Sequence, residues 1–259
     1  MTSYTEEQIE AVEKSLATYM VDGHIVTDAE VANQVEALAR LGVGIITKSD
    51  DLYPAGLNDL GTKAPEALFY RGNPEVVRGL PQSVVLTGAR ASTGYGEHIT
   101  MEFANRLHEK GRTVVNGGGY GIDGMALRAQ LASHGQPIVW LAGGVDRLYP
   151  AGHDSLLQRV IEEGAIVSAL PMGFSPTKWR MVQRSEYLGY ATSAVVLTEA
   201  GWRSGSLRVA DAAFESGVGV FAVPGPITSA SSDGCHRLIS EGKAKLITSA
   251  DDIWYRLAG

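Results

Sequence analysis

The chain has 259 residues, is 44% hydrophobic and carries a formal net charge of −7, enough for a sizeable buried core but without the cationic surplus of a typical phosphate binder. A single cysteine, Cys235, excludes an internal disulfide and a cysteine metal cluster, and is expected to be an inert, partly buried thiol. No run approaches about 18 consecutive apolar residues, and the N-terminus MTSYTEEQIEAVEKS lacks the basic flank and apolar heart of a secretion signal, so cytoplasmic residence is the expectation.

The charge is unevenly spread. Residues 1–80 hold 6 Lys+Arg and 13 Asp+Glu, whereas residues 81–259 hold 16 of each. The acid excess is confined to the first third, and a local basic patch is compatible with the rest.

In chain order, Thr5 with Gln8, followed by Ile9, Val12 and Leu16, reads as a capping box opening an amphipathic helix. Thr27 with Glu30, then Val31, Val35 and Leu38, repeats the signal and stops at Gly42. Residues 1–42 are therefore read as a small N-terminal helical module, whose apolar stripes need burial against the body of the protein. GVGIITKSDDLYPAGLNDL supplies one short strand and a loop, and an irregular stretch reaches ALFYRGNP at Ala67 to Pro74. Residues 43–80 are read as a connecting layer, and residues 81–259 as the main domain.

From Ser83 onward, apolar β-branched runs alternate with segments of helical period. The runs are SVVLT, TVVN, PIVWLA, AIVSA, SAVVLT, VGVFAV and KLIT, starting at 83, 113, 137, 165, 193, 218 and 245. Between the first two, Ile99, Phe103 and Leu107 fall four apart on one helix face. Continuous apolar strands alternating with helices predict an α/β fold, a doubly wound, mostly parallel sheet of Rossmann-like type covered on both faces. A short helix is expected over Asp251 to Leu257, where the chain ends soon after the sheet.

Ligands of such sheets bind beyond the carboxyl ends of the strands, where glycine admits close backbone approach and helix N-termini offer free amides. Four strand ends here carry that chemistry. The first supplies Gly88, Arg90, Gly94 and Gly96; the second, NGGGYGID, supplies Asn116, Gly117, Gly118, Gly119, Gly121 and Asp123; the third supplies Gly143 and Gly144; a later one supplies Glu199, Ser204, Gly205 and Ser206. Their convergence on one edge is the signal, since each glycine turn alone is weak. No G-x-x-x-x-G-K-[ST] occurs, and the first strand lacks G-x-G-x-x-G with an acid at the next strand end, so a P-loop ATPase and an NAD dehydrogenase are both disfavoured.

Several of these residues also have structural uses. Asp123 is suited to capping the helix that starts there, and Glu199 to holding loop amides. Arg90, a long cation on a glycine loop, has little packing purpose. Tyr95 and Tyr120 are candidates for base stacking and equally for ordinary packing, whereas Trp179 and Trp202 lie beside basic residues, which suits stacking, although Trp is more often a core or interface residue. The six histidines show no metal-ligand spacing, so no metal site or cofactor is expected.

In combination, LGVGIITKSDDLYPAGL, ALFYRGNP, TGARASTGYG, GGGYGID, GGVDRLYPAGH, TEAGWRSGSL, VFAVPGPI and GCHRLISEGK, in this order from about Leu41 to Thr248, resemble the DNA-processing protein A (DprA/Smf) family of recombination mediators, within the SLOG group of Rossmann-like domains. The resemblance implies binding of single-stranded DNA and loading of a RecA-type recombinase, by a homodimer joining two sites and without a catalytic cycle. It places Gly88 and Arg90 on the family's G-S-R loop, with Ala89 for the serine, and Ser204, Gly205 and Ser206 on its S-G-S helix start. The family's basic R-N-R clamp aligns with Arg184, Ser185 and Glu186, so one arginine remains and the other is reversed in sign; weaker DNA binding follows, with Lys178, Arg180, Arg203 and Arg208 close enough in sequence to compensate. Leu127 stands for a usual histidine and His153 for a common asparagine. The C-terminal winged helix of many members is expected to be missing. A second reading stays open, a SLOG-type small-nucleotide enzyme or sensor in which Glu199 or Asp123 assists hydrolysis.

Overall fold

In the computed structural model, which describes residues 3–20 and 24–257, two reciprocal capping boxes open helices α1 (Glu6–Tyr19) and α2 (Asp28–Leu41): each threonine hydroxyl accepts from the third helical amide, and that residue's side chain accepts from the cap amide. Amides otherwise unpaired at a helix start are thereby satisfied. Helix α2 ends at Gly42, which takes the left-handed conformation with φ 66°.

There follow β1 (Gly44–Thr47), a 3-10 segment (Ala55–Lys63), β2 (Ala67–Gly72), α3 (Pro74–Arg78), β3 (Val84–Gly88), α4 (Gly94–Glu109), β4 (Val114–Asn116), α5 (Ile122–Ala132) and β5 (Ile138–Trp140). The second half holds α6 (Asp154–Glu163), β6 (Ala165–Ser168), α7 (Lys178–Ala191), β7 (Ala194–Glu199), α8 (Leu207–Glu215), β8 (Gly219–Ala222), α9 (Asp233–Ser240), β9 (Lys245–Leu246) and α10 (Asp251–Leu257).

All strands join one sheet, in the order β1-β2-β6-β5-β4-β3-β7-β8-β9. The seven strands from β6 to β9 are parallel, as the apolar runs require. ALFYRG, expected as irregular, is instead a full strand: β2 pairs antiparallel with β1 and with β6, setting Phe69 opposite both Ile45 and Ser168. Its partner β6 lies about a hundred residues downstream, so no local pattern announces the pairing. Residues 43–80 thus extend the sheet itself.

Both faces are covered. Val84 and Leu86 of β3 pack with Phe103, Leu107 and Ala126 of α4 and α5, while the intervening Val85 packs with Leu188, Leu207 and Ala210 of α7 and α8. Each face of one strand buries apolar side chains, which is why its sequence does not alternate. Val12, Leu16 and Leu38 of the first two helices pack on Phe69, Val139 and Ile166. The outer edge of β1 is closed as well: the Tyr4 hydroxyl donates to Val43 O at 2.6 Å and Gln8 Nε2 to Ile45 O at 2.9 Å, occupying carbonyls that an open edge would leave for another chain. Among the described residues no helix is long and apolar enough to cross a membrane.

Candidate functional site

The chain leaves β3 toward β4 on one side and later returns to β7 on the other, so a crevice opens between the carboxyl ends of these three central strands. Its floor is a tight polar assembly. Buried Asn116, closing β4, donates from Nδ2 to Leu86 O at 3.2 Å and to Asp123 O at 3.1 Å, and accepts at Oδ1 from the Gly118 amide at 2.9 Å. The side chain thereby ties β3, the glycine loop and α5 together. Gly121, with φ 69°, begins α5 without a side-chain cap, a conformation that favours glycine.

Asp123 is therefore not the helix cap. It lies in the first turn of α5, is 8% exposed, and accepts from the Thr87 hydroxyl at 2.6 Å and the Gly119 amide at 3.1 Å. From the opposite side α7, capped by Thr177, brings Lys178, Met181 and Arg184. Arg184 is half-buried and donates through Nη1 to Gly117 O at 2.9 Å. Burial pulls the Arg184 pKa below its ordinary value, and the Asp123 charge opposes that pull. The third wall is the loop after β7, where Arg203, Ser204, Gly205 and Ser206 precede α8 and the Ser204 and Ser206 hydroxyls share a hydrogen bond of 2.8 Å.

Together these walls enclose an open cleft of about 1080 Å³, lined by the basic side chains of Arg90, Lys178, Arg184, Arg203 and Arg208 against the single carboxylate of Asp123. Among the described residues none of the five cations has a carboxylate partner within 4.0 Å. A chain of net charge −7 thus gathers unneutralised positive charge at one crevice, where low-dielectric walls focus the field.

Of the residues singled out from the sequence, Gly88, Arg90, Gly117, Gly119, Asp123, Lys178, Arg184, Ser204, Gly205 and Ser206 line this cleft. Gly118 and Gly121 shape the loop beneath it. Gly94 and Gly96 lie in the first turn of α4, with the Gly96 amide donating to Thr93 Oγ1 at 3.2 Å. Glu199 is only 3% exposed, and its two carboxylate oxygens accept from the Thr93 amide and hydroxyl, each at 2.8 Å. Gly143 and Gly144 stand apart: the Gly143 carbonyl accepts from Ser168 Oγ at 2.7 Å and the Gly144 amide donates to Phe174 O at 2.8 Å. They position the segment that leads to Lys178 without reaching the cleft.

Three of the four glycine-bearing strand ends meet, and the fourth supports a wall. Glu186, the expected sign reversal in the clamp, is not on the cleft lining; it points away toward Lys63, with 4.0 Å between the charged atoms. Met181 and Tyr149 line the cleft without having been singled out; Tyr149 lay within the quoted GGVDRLYPAGH, but nothing in its spacing marked it. Cys235 is fully buried, and desolvation pushes its thiol pKa up to about 12.

The family model described as DNA recombination-mediator protein A matches residues 44–258. The chain belongs to that family. It is 40% identical over 232 residues to a Mycobacterium tuberculosis protein named for DprA-type DNA processing, covering 86% of this chain and 59% of that protein. It is 35% identical over 210 residues to Protein Smf of Escherichia coli, covering 81% of this chain and 55% of Smf. The chain therefore spans somewhat over half the length of these two relatives. The X-ray structure of DprA from Streptococcus pneumoniae superposes with a TM-score of 0.77 at 29% identity, covering 97% of this chain and 93% of that one. DprA from Helicobacter pylori, described for its single-stranded DNA binding mode, shares the fold with a TM-score of 0.73 at 24% identity, over 83% of this chain and 95% of that one.

Proposed function

We propose that this DprA-family chain binds single-stranded DNA in the cleft between the ends of β3, β4 and β7, and acts as a recombination mediator that delivers the strand to a RecA-type recombinase in the cytoplasm. A homodimer carrying two such clefts would hold a longer stretch of DNA. One observation carries the reading: five cationic side chains without carboxylate partners, among the described residues, surround a crevice whose walls include the glycine and serine residues of three strand-end loops. Arg90, Lys178, Arg203 and Arg208 are exposed and reach phosphates from several directions, as a strand running through an open groove requires. Glu186 turns away from the groove, which removes the expected repulsion.

What supports a polynucleotide over a mononucleotide is the size of the cleft, at the upper end of small-molecule sites, roughly 300–1,000 Å³, and the engagement of Glu199, whose oxygens are both taken by Thr93. The test is fluorescence anisotropy of a labelled oligo-dT titrated with protein across a range of salt. Log affinity should fall linearly with log salt, with a slope of roughly −2 to −3.5 if three to five phosphates are neutralised. Arg90→Ala and Lys178→Ala should each weaken binding and flatten the slope. Undetectable binding at about 50 mM salt, where such contacts are strongest, would sink the reading. Recombinase delivery is tested separately, by whether the protein accelerates RecA filament assembly on strands already coated with single-strand-binding protein.

A further inference from the structure

Tyr120 sits in the middle of the glycine loop, on the cleft lining, with 47% of its surface exposed. A core role does not explain so open a ring, yet the ring is held on two sides. Its neighbour His153 meets it edge-on, with ring centroids 4.7 Å apart and planes inclined by 69°. That imidazole is itself buried and fixed, its Nδ1 in a 3.0 Å hydrogen bond with the Gly118 carbonyl. Beyond the hydroxyl end lies Gly152, where an added Cβ would stand 2.5 Å from Tyr120 Oη. The absence of a side chain at Gly152 is what lets the ring lie there.

A supported aromatic face, half open to a cation-lined groove, loses little conformational freedom when a flat ligand settles on it. Every nucleobase offers a π-face, so stacking of this kind is tolerant of sequence. Such a face is available only on a base that is not already stacked within a duplex.

We propose that Tyr120 is the base-stacking residue of the cleft: one unpaired nucleobase of a single strand lies on its ring while the adjoining phosphates meet the cations around it. The proposal rests on the reading of the cleft as a DNA site and adds the element that selects single strands over duplex. Tyr120 acts by direct contact; His153 and Gly152 position it.

The experiment compares the full chain with Tyr120→Ala and Tyr120→Phe, using labelled oligo-dT and an abasic oligomer of equal length. Tyr120→Ala should weaken oligo-dT binding by roughly 5- to 100-fold, with an unchanged melting temperature, while Tyr120→Phe stays within about twofold because the ring is kept. On the abasic strand, wild type and Tyr120→Ala should bind alike. Gly152→Ala, which displaces the ring, should weaken oligo-dT binding in the wild-type background and change nothing when Tyr120 is already alanine. Wild-type affinity for oligo-dT that is indifferent to Tyr120→Ala, or a loss of equal size on the abasic strand, overturns this proposal and leaves the DNA reading standing. Wild-type protein that binds neither oligomer overturns both.

Discussion

The Arg184 guanidinium donates to the main-chain carbonyl of Gly117 at 2.9 Å, tying helix α7 to the loop after β4 across the cleft floor. The approach is so close that a Cβ at position 117 would collide with the guanidinium. Gly117→Ala should therefore displace Arg184 with little other change, since the obstacle is the far end of a flexible side chain. Oligo-dT affinity is expected to fall by roughly three- to tenfold, the worth of one charged contact of about 1 kcal/mol, with a drop of a few degrees in melting temperature. Anisotropy titration and a thermal melt of the same sample check both.

Asp123 holds the Thr87 hydroxyl and the Gly119 amide, and its charge opposes the burial of Arg184. In Asp123→Ala the buried Thr87 hydroxyl and the part-buried Gly119 amide lose their acceptor, and half-buried Arg184 loses a nearby negative charge, which should destabilise the fold by roughly 2–4 kcal/mol. Asp123→Asn retains an acceptor oxygen and should cost less. Urea unfolding midpoints order the three proteins, and an alanine variant as stable as wild type would contradict the assignment.

Glu199 separates architecture from chemistry. With both oxygens committed to Thr93, Glu199→Gln should preserve one strong acceptor for the Thr93 amide and leave oligo-dT binding within about twofold, while Glu199→Ala should lose about 1–3 kcal/mol of stability through the loss of two hydrogen bonds from part-buried Thr93 to a charged acceptor. Nucleotide hydrolysis abolished by Glu199→Gln in an otherwise stable protein would reverse this view.

The closing helix α10 is fastened to α4 by Arg106, whose guanidinium donates from Nε and Nη2 to the two oxygens of Asp251 at 3.0 and 2.9 Å. The hydrogen bond from Arg106 holds the Asp251 carboxyl below its ordinary value of 3.8. Because the folded value is depressed, the contribution is fully present above that ordinary value and is lost as pH falls through the lower folded value. Hydrogen exchange of α10 amides should be flat from neutral pH down to the ordinary carboxylate range, after correction for intrinsic rates, and should rise only below it. In Arg106→Gln the exchange should already be faster at neutral pH, and the rise at low pH should be smaller, because the contact that titrates is gone.

Much of this fold was legible locally. The capping boxes at Thr5 and Thr27 and the seven apolar runs from Ser83 to Thr248 each declare an element within a few residues, because capping and burial on both faces are short-range requirements. Strand β2 was not legible: ALFYRG earns its place by pairing with β6, distant in sequence. Within the site, Gly88, Arg90 and the Gly117 to Gly119 loop were visible as glycine-rich strand ends. Tyr149 and Met181 carried no comparable mark, since an aromatic ring or a thioether is as common in a core as on a groove wall.

Sequence by itself determined the alternation of strands and helices, the family, and the supply of glycine, hydroxyl and cationic residues at strand ends. Only the tertiary structure decided which of them meet. The order β5-β4-β3-β7 brings the ends of β3, β4 and β7 around one crevice and leaves the Gly143–Gly144 turn of β5 one strand further out. On α7, two residues of separation amount to roughly 200° of rotation, so Arg184 enters the cleft while Glu186 faces Lys63. Strand order and helix phase relative to the sheet are set by contacts between distant segments, and it is those contacts that turn an acidic chain into one with an open, positively charged groove.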